Sequence, residues 1–195
     1  NAAERLSVKN PGKMKVYKTA EWEGEWISVA SQIDALEKRG IFRKAAEISK
    51  SYSADEIRKY FQSNSRENIM RVKIEKGVFS FMNPEGTVIL GRARYTYEGF
   101  RERMMEGREV QWHRFRIAEG YDKHPELICS EPYGFLGQWI LLINTREFNS
   151  AREGNSAAYL QSMMFPADIS HEAIADIADN PEFIKGLVSL LPDRK

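Results

Sequence analysis

Few imidazole or thiol side chains in this 195-residue chain could bind a metal ion. The sequence holds three histidines, His113, His124 and His171, and one cysteine, Cys129. Zinc prefers three or four imidazole, thiolate or carboxylate ligands in a tetrahedral array. His113, His124, Cys129 and Glu131 fall on two neighbouring predicted strands and their connection, so they could form such a site. The alternative, which we favour, is a half-buried strand histidine, a loop histidine and a buried free thiol.

Arginines form a second chemical group. Arg114 and Arg116 alternate along one predicted strand, and Arg92 and Arg94 alternate along the preceding one. If these guanidinium groups faced the inside of a barrel, they could clamp a carboxylate or a phosphate. If they faced outward, they would pair with the many surface glutamates. We expect the outward arrangement, which is the usual place for charged side chains.

Other classes of function lack a signature in the sequence. Neither a Gly-x-Ser-x-Gly nucleophile motif nor a glycine-rich phosphate loop is present, so we expect no enzymatic activity. The net charge of +1, from 29 basic and 28 acidic residues, argues against nucleic acid or an anionic membrane as the main partner. A single cysteine excludes an intrachain disulfide. No apolar run reaches the roughly 18 residues that a membrane span needs.

The elements that must position these groups begin with a Gly-x-Trp triplet, Gly24-Glu25-Trp26. Glycine permits a tight turn at the rim of a small barrel, and an indole can then plug its closed end. Helical spacing follows over residues 30–62. Alternating strands with a turn about every ten residues then predict an antiparallel meander up to residue 144. Helices are predicted again over residues 151–164, over 171–178 and after Pro181.

This order of elements resembles the bacterial ZinT (YodA) family, which binds zinc and cadmium. The similar stretches are residues 22–29, 54–61, 94–100 and 165–172. The resemblance implies a mainly β fold with helices (α+β): a lipocalin-like (calycin) antiparallel β-barrel with a helical insertion after the first strand and a helical C-terminal tail. We expect residues 1–20 to form a flexible N-terminal arm and residues 21–195 to form one domain.

The metal site of that family does not carry over to this sequence. The resemblance implies three histidine ligands, one after a Ser-Asp pair and two as His-x-His on the next strand. Their places fall on Pro132 and near Trp139 and Leu141, none of which can bind zinc. The family's cysteine pair would fall near Ala93 and Arg116, so its disulfide is absent too. We therefore transfer no catalytic, cofactor-binding or metal-binding residue.

Three hypotheses for function follow. The first is a non-enzymatic ZinT-like binding protein whose zinc site has been replaced by apolar residues, with a small apolar or anionic molecule as its ligand. The second keeps zinc as the ligand, at a relocated site. The third is a protein-interaction module that uses the helical tail or the N-terminal arm. The resemblance implies an exported protein, although no signal peptide is visible. The ligand, the compartment and the oligomeric state stay open.

Overall fold

The computed structural model describes residues 19–64, 69–105, 108–135, 137–145 and 163–194. The strands are β1 Gly24–Ser28, β2 Arg71–Glu75, β3 Val78–Met82, β4 Ile89–Met105, β5 Arg108–Gly120, β6 Glu126–Cys129, β7 Tyr133–Phe135, β8 Gln138–Asn144 and β9 Met163–Pro166. The helices are α1 Ile33–Lys38, α2 Ile41–Ser49, α3 Ala54–Asn64, α4 His171–Asp179 and α5 Pro181–Ser189, with short 3-10 turns at Thr19–Trp22 and Val29–Gln32.

The strands close into an antiparallel barrel. Their order is β6-β5-β4-β3-β2-β1-β9-β8-β7, and a further pairing of β6 with β8 closes eight of them into a ring. Strand β7 lies outside the ring and pairs with β8 alone. The predicted α+β architecture is confirmed, since helices α1–α3 follow β1 and helices α4–α5 follow β9.

One strand replaces the end of a predicted helix. We predicted a helix over residues 151–164, of which 151–162 lie outside the described residues, whereas Met163–Pro166 forms β9 between β1 and β8. Met164 contributes to the lumen, while Met163 and Phe165 belong to the layer beneath the helices. Because both faces of the strand are buried, its sequence is a continuous apolar run that lacks the alternation of a half-buried strand.

Two apolar cores share the barrel wall. Leu141 of β8 points into the lumen, whereas its neighbours Ile140 and Leu142 pack under the helices. The helices thus cover parts of the outer face of β1, β5, β6, β8 and β9, where they bury residues such as Ile177 and Leu187. The lumen is filled by one cluster of buried side chains: Trp22, Trp26, Ile69, Val72, Ile74, Phe79, Phe81, Ala93, Tyr95, Phe115, Leu127, Cys129, Leu141, Ile143 and Met164.

Local capping signals position the helices. Ser53 and Glu56 form the predicted capping box, because the Ser53 N–H donates to the Glu56 carboxylate at 2.8 Å and the Glu56 N–H donates to Ser53 Oγ at 3.2 Å. Ser170 caps α4, and Asn180 caps α5 with Pro181 at its first position. No helix in the described ranges is long and apolar enough to cross a membrane.

The predicted domain limits remain a prediction. The expected N-terminal arm, residues 1–20, lies outside the described residues except for Thr19 and Ala20, which open the first 3-10 turn. That turn leads into β1, so Trp22 enters the barrel two residues before the strand begins.

Candidate functional site

The positions at or near which the resemblance places metal-binding histidines lie at one end of the barrel, which we call the mouth. Pro132 lies between β6 and β7 and is half-buried. Leu141 is fully buried in the lumen, next to Met164 of β9 in the strand register. Trp139, two residues earlier on β8, is 41% exposed. None of these side chains offers a nitrogen, thiolate or carboxylate ligand, so the mouth lacks donors where the family would hold zinc.

Trp22 closes this end of the lumen from within. Its indole is completely buried and lies 4.9 Å, centroid to centroid, from the rings of both His113 and Phe115. Its Nε1–H donates to the Ser130 carbonyl at 2.7 Å, which ties the turn before β1 to the end of β6. We assigned the plug to Trp26; the structure places both indoles in the lumen, and Trp26 Nε1–H donates to the Trp22 carbonyl at 3.2 Å.

A polar cluster lies beneath this plug. His113 of β5 is fully buried, and its Nδ1 lies 3.0 Å from the Tyr97 hydroxyl. Burial raises the pKa of Tyr97 to about 12, with further contributions from the negative charges of Glu21 and Glu131. Both carboxylates therefore lie close enough to the phenol to disfavour its ionisation. No local signal predicts this cluster, because its members, Glu21, Tyr97, His113 and Glu131, come from four separate segments of the chain.

The candidate zinc ligands of the sequence analysis occupy different surroundings. Cys129 is fully buried, and burial raises the pKa of its thiol, so the thiolate that zinc would need is disfavoured. His124 packs its ring against Phe81 at 5.1 Å, and burial, followed by the charge of Lys123, lowers its pKa. His171 is exposed at the start of α4.

These groups do not assemble into a metal site. His113 and Cys129 are neighbours across β5 and β6, but His124 contacts a different part of the lumen lining. Within the ranges that the structure describes, no three or more histidine, cysteine, aspartate or glutamate side chains are arranged to hold a metal ion.

The four arginines face away from the lumen, as expected. Arg92 and Arg94 are exposed on either side of Ala93, which is buried in the lumen. Arg114 Nε donates to Glu126 at 2.7 Å, and Arg116 Nε donates to Glu98 at 2.8 Å. A guanidinium clamp inside the barrel is therefore ruled out for these residues. Among the described side chains, two of the four have the surface glutamate partners that we predicted.

Comparisons with known proteins agree with the fold. A family model described as ZinT (YodA) periplasmic lipocalin-like zinc-recruitment matches residues 8–130. The chain is similar to the crystal structure of Zn(II)-bound AdcA from Streptococcus pneumoniae, with 14% identity and a TM-score of 0.56 over 89% of this chain and 37% of that chain. It is also similar to the Zn(II)-bound ZinT-like domain of AdcA, with 13% identity and a TM-score of 0.53 over 90% of this chain and 96% of that chain.

Two limits apply to these similarities. The chain spans only 37% of the length of the whole AdcA structure but nearly all of its ZinT-like domain. At such low identities, the likeness to the solved structures establishes the fold alone. A search of the curated proteins found no match.

Proposed function

The chain belongs to the ZinT (YodA) family of periplasmic lipocalin-like zinc-recruitment proteins, and from this premise we propose that it is a non-enzymatic, exported binding protein whose zinc site has been replaced by apolar side chains. One observation carries the proposal: Leu141, near which the resemblance implies a histidine ligand, is fully buried in the packed lumen. A zinc ion there would lose its water ligands and gain no nitrogen or oxygen donor in return.

The packing of the lumen cluster to which Leu141 belongs supports the same conclusion. Trp22 fills the space beneath the mouth, and its hydrogen bond to the Ser130 carbonyl fixes the indole in place. Side chains also occupy the rest of the lumen, where Phe79 lies 4.7 Å from Tyr95 and 5.7 Å from Phe115 between ring centroids. A small apolar ligand would have to displace these rings. We therefore propose that the protein binds its ligand on the outer surface of the barrel.

A relocated zinc site is the second candidate function. It is favoured by the carboxylates of Glu21 and Glu131 near Tyr97, whose hydroxyl contacts His113. Against it, His113 is completely buried beside the Trp22 indole, so an ion could reach the imidazole only if the plug moved. The proposal of a lost zinc site requires no such movement.

The helical tail gives little support to an interaction module. Helices α4 and α5 bury their apolar faces in the core that they share with the barrel wall, through residues such as Ile174 and Phe183. Those faces are therefore not available to a partner unless the tail detaches. The N-terminal arm, the other candidate for this role, lies outside the described residues.

Zinc titration of the metal-free protein tests the proposal. We expect calorimetry to show no submicromolar zinc binding, and we expect the melting temperature to be unchanged by zinc. If zinc did bind, a free zinc concentration of about 100 times the Kd would instead raise the free energy of unfolding by about 2.7 kcal/mol. Submicromolar binding that is lost in His113→Ala or His124→Ala, but kept in His171→Ala, would establish the relocated site. His171 is the matched control because it is exposed on a helix.

A further inference from the structure

The outer face of β2, β3 and β4 forms a shallow groove of about 730 Å³. We call it the β2–β4 groove. Two cross-strand rows of residues make its floor: Lys73, Ser80 and Arg92 are register neighbours, and so are Glu75, Val78 and Arg94. The buried core beneath the helices draws its strand residues from β1, β5, β6, β8 and β9, so the helical layer leaves this part of the wall exposed.

The groove has an excess of positive charge. Its lining includes Lys73, Lys76, Arg92 and Arg94 but only two carboxylates, Glu25 and Glu75. Both carboxylates are already paired, since Glu25 accepts from Arg71 Nε at 2.7 Å and Glu75 lies 3.6 Å from Lys73 Nζ. The carboxylates of the groove therefore neutralise little of the positive charge of Lys76, Arg92 and Arg94.

Within the described ranges, the hydrogen bonds of the two groove arginines go to neutral acceptors. Arg92 Nε donates to Ser80 Oγ at 3.3 Å, and one terminal nitrogen of Arg94 donates to the Lys76 carbonyl at 3.3 Å. Glu119 lies opposite Arg94 in the register of β5, yet no ion pair joins the two among the described residues. Arg114 and Arg116, on the neighbouring strand, each have a glutamate partner. The β2–β4 groove thus contains arginines whose charge is available to a ligand.

We propose that the β2–β4 groove binds a phosphate group, held by Arg92 and Arg94 with Lys76 at its edge. Guanidinium groups present fixed N–H forks that match the oxygens of a phosphate. Arg92 and Arg94 are two residues apart on one strand, so both project from the same face and border the same groove. The groove volume falls within the roughly 300–1,000 Å³ that is typical of small-molecule sites.

The apolar part of the groove points to an organic phosphate. Val78, Met82 and Ile89 lie beside the cationic groups, and Ile89 is 46% exposed. The flanking Val88 and Leu90 are 52% and 58% exposed. Such a surface can cover a hydrocarbon group attached to the phosphate. The phosphate could belong to a small soluble ester or to a phospholipid headgroup, and the experiment below separates the two.

This inference rests on the proposed binding role but not on the state of the zinc site. Amide chemical shifts, measured by NMR while inorganic phosphate, hexyl phosphate or phosphatidic acid vesicles are added, provide the test. We expect saturable shifts at β3 and β4 with hexyl phosphate, and weaker binding of inorganic phosphate. Binding to vesicles but not to hexyl phosphate would identify a lipid headgroup as the source.

Two matched variants separate a site from general charge attraction. Arg92→Gln combined with Arg94→Gln should weaken binding about tenfold or more, since hydrogen bonds to charged groups are the strong ones. Arg116→Gln is the control, because Arg116 is also exposed but is paired with Glu98. No saturable binding of any of the three probes, or an equal loss in the control, would overturn the proposal. The zinc titration is unaffected by either result, so the two proposals fail separately.

Discussion

Removal of the Trp22 indole tests how the mouth of the barrel is stabilised. Trp22 is completely buried, and it contacts the rings of Tyr97, His113 and Phe115 at centroid distances of 6.0, 4.9 and 4.9 Å. Truncation of a fully buried large aromatic residue to alanine costs about 3–5 kcal/mol, because the surroundings collapse only partly into the cavity. We expect Trp22→Ala to reach the upper half of that range, since it also leaves the buried Ser130 carbonyl without its donor.

A loss of about 4 kcal/mol is large against the 5–15 kcal/mol that folded domains possess. For a chain of this length it corresponds to a fall of roughly 8–16 °C in the melting temperature, at about 2–4 °C per kcal/mol. Urea unfolding followed by far-ultraviolet circular dichroism is the appropriate assay, because tryptophan fluorescence changes with the substitution itself. Trp22→Phe should lose less, since it keeps an aromatic ring and part of the ring contacts, although it reduces the side-chain volume and removes the hydrogen bond to Ser130.

Trp139→Ala is the matched control for Trp22→Ala. Trp139 has the same side chain at the same end of the barrel but is 41% exposed, so its truncation should cost clearly less, about 1 kcal/mol. If Trp22→Ala lost under about 1 kcal/mol, or no more than the control, the indole would not be the plug that the contacts indicate.

Two further predictions concern the lumen. Gly91→Ala should destabilise by about 1–3 kcal/mol, because the added Cβ would lie 2.3 Å from the Tyr121 ring. In a double-mutant cycle measured by urea unfolding, Gly91→Ala should cost less stability when Tyr121→Ala is also present. If the losses of the two substitutions were strictly additive, that would argue against the clash. Burial raises the pKa of Tyr97 to about 12, so its contribution to stability should be complete below about pH 10 and disappear as the pH rises toward 12. Thermal melts across this pH range should show that Tyr97→Phe loses less stability at alkaline pH than the unmodified protein. If both lost the same stability, the alkaline loss would come from other groups.

Short-range signals in the sequence predicted local structure well. The capping box of Ser53 and Glu56 and the Asn180-Pro181 start of α5 depend on residues that are three positions apart or less. The outward direction of Arg92 and Arg94 also follows from strand alternation, once Ala93 is assigned to the lumen. Such features need no knowledge of which strands pair.

Features that depend on long-range pairing were not predictable. We predicted the end of a helix where β9 lies, because this apolar run shows no alternation that would indicate a strand. Both faces of β9 are buried because the strand lies between β1 and β8, which the sequence does not show. The partners of the arginines depend on cross-strand register: Arg114 meets Glu126 of β6, whereas Arg92 meets Ser80 of β3. The sequence shows all of these residues but not which of them are neighbours.

The proposed loss of the zinc site has a consequence for how the mouth is held together. A metal ion joins strand ends through its ligands, and those ligands contribute to stability only while the ion is bound. In this chain, the Leu141 side chain and the Trp22 indole join the same strand ends through burial and one hydrogen bond to Ser130. Full burial of a leucine side chain contributes about 1.5–3 kcal/mol. On the proposed account, this end of the barrel is therefore stable without metal, and a chelator should leave its unfolding free energy unchanged.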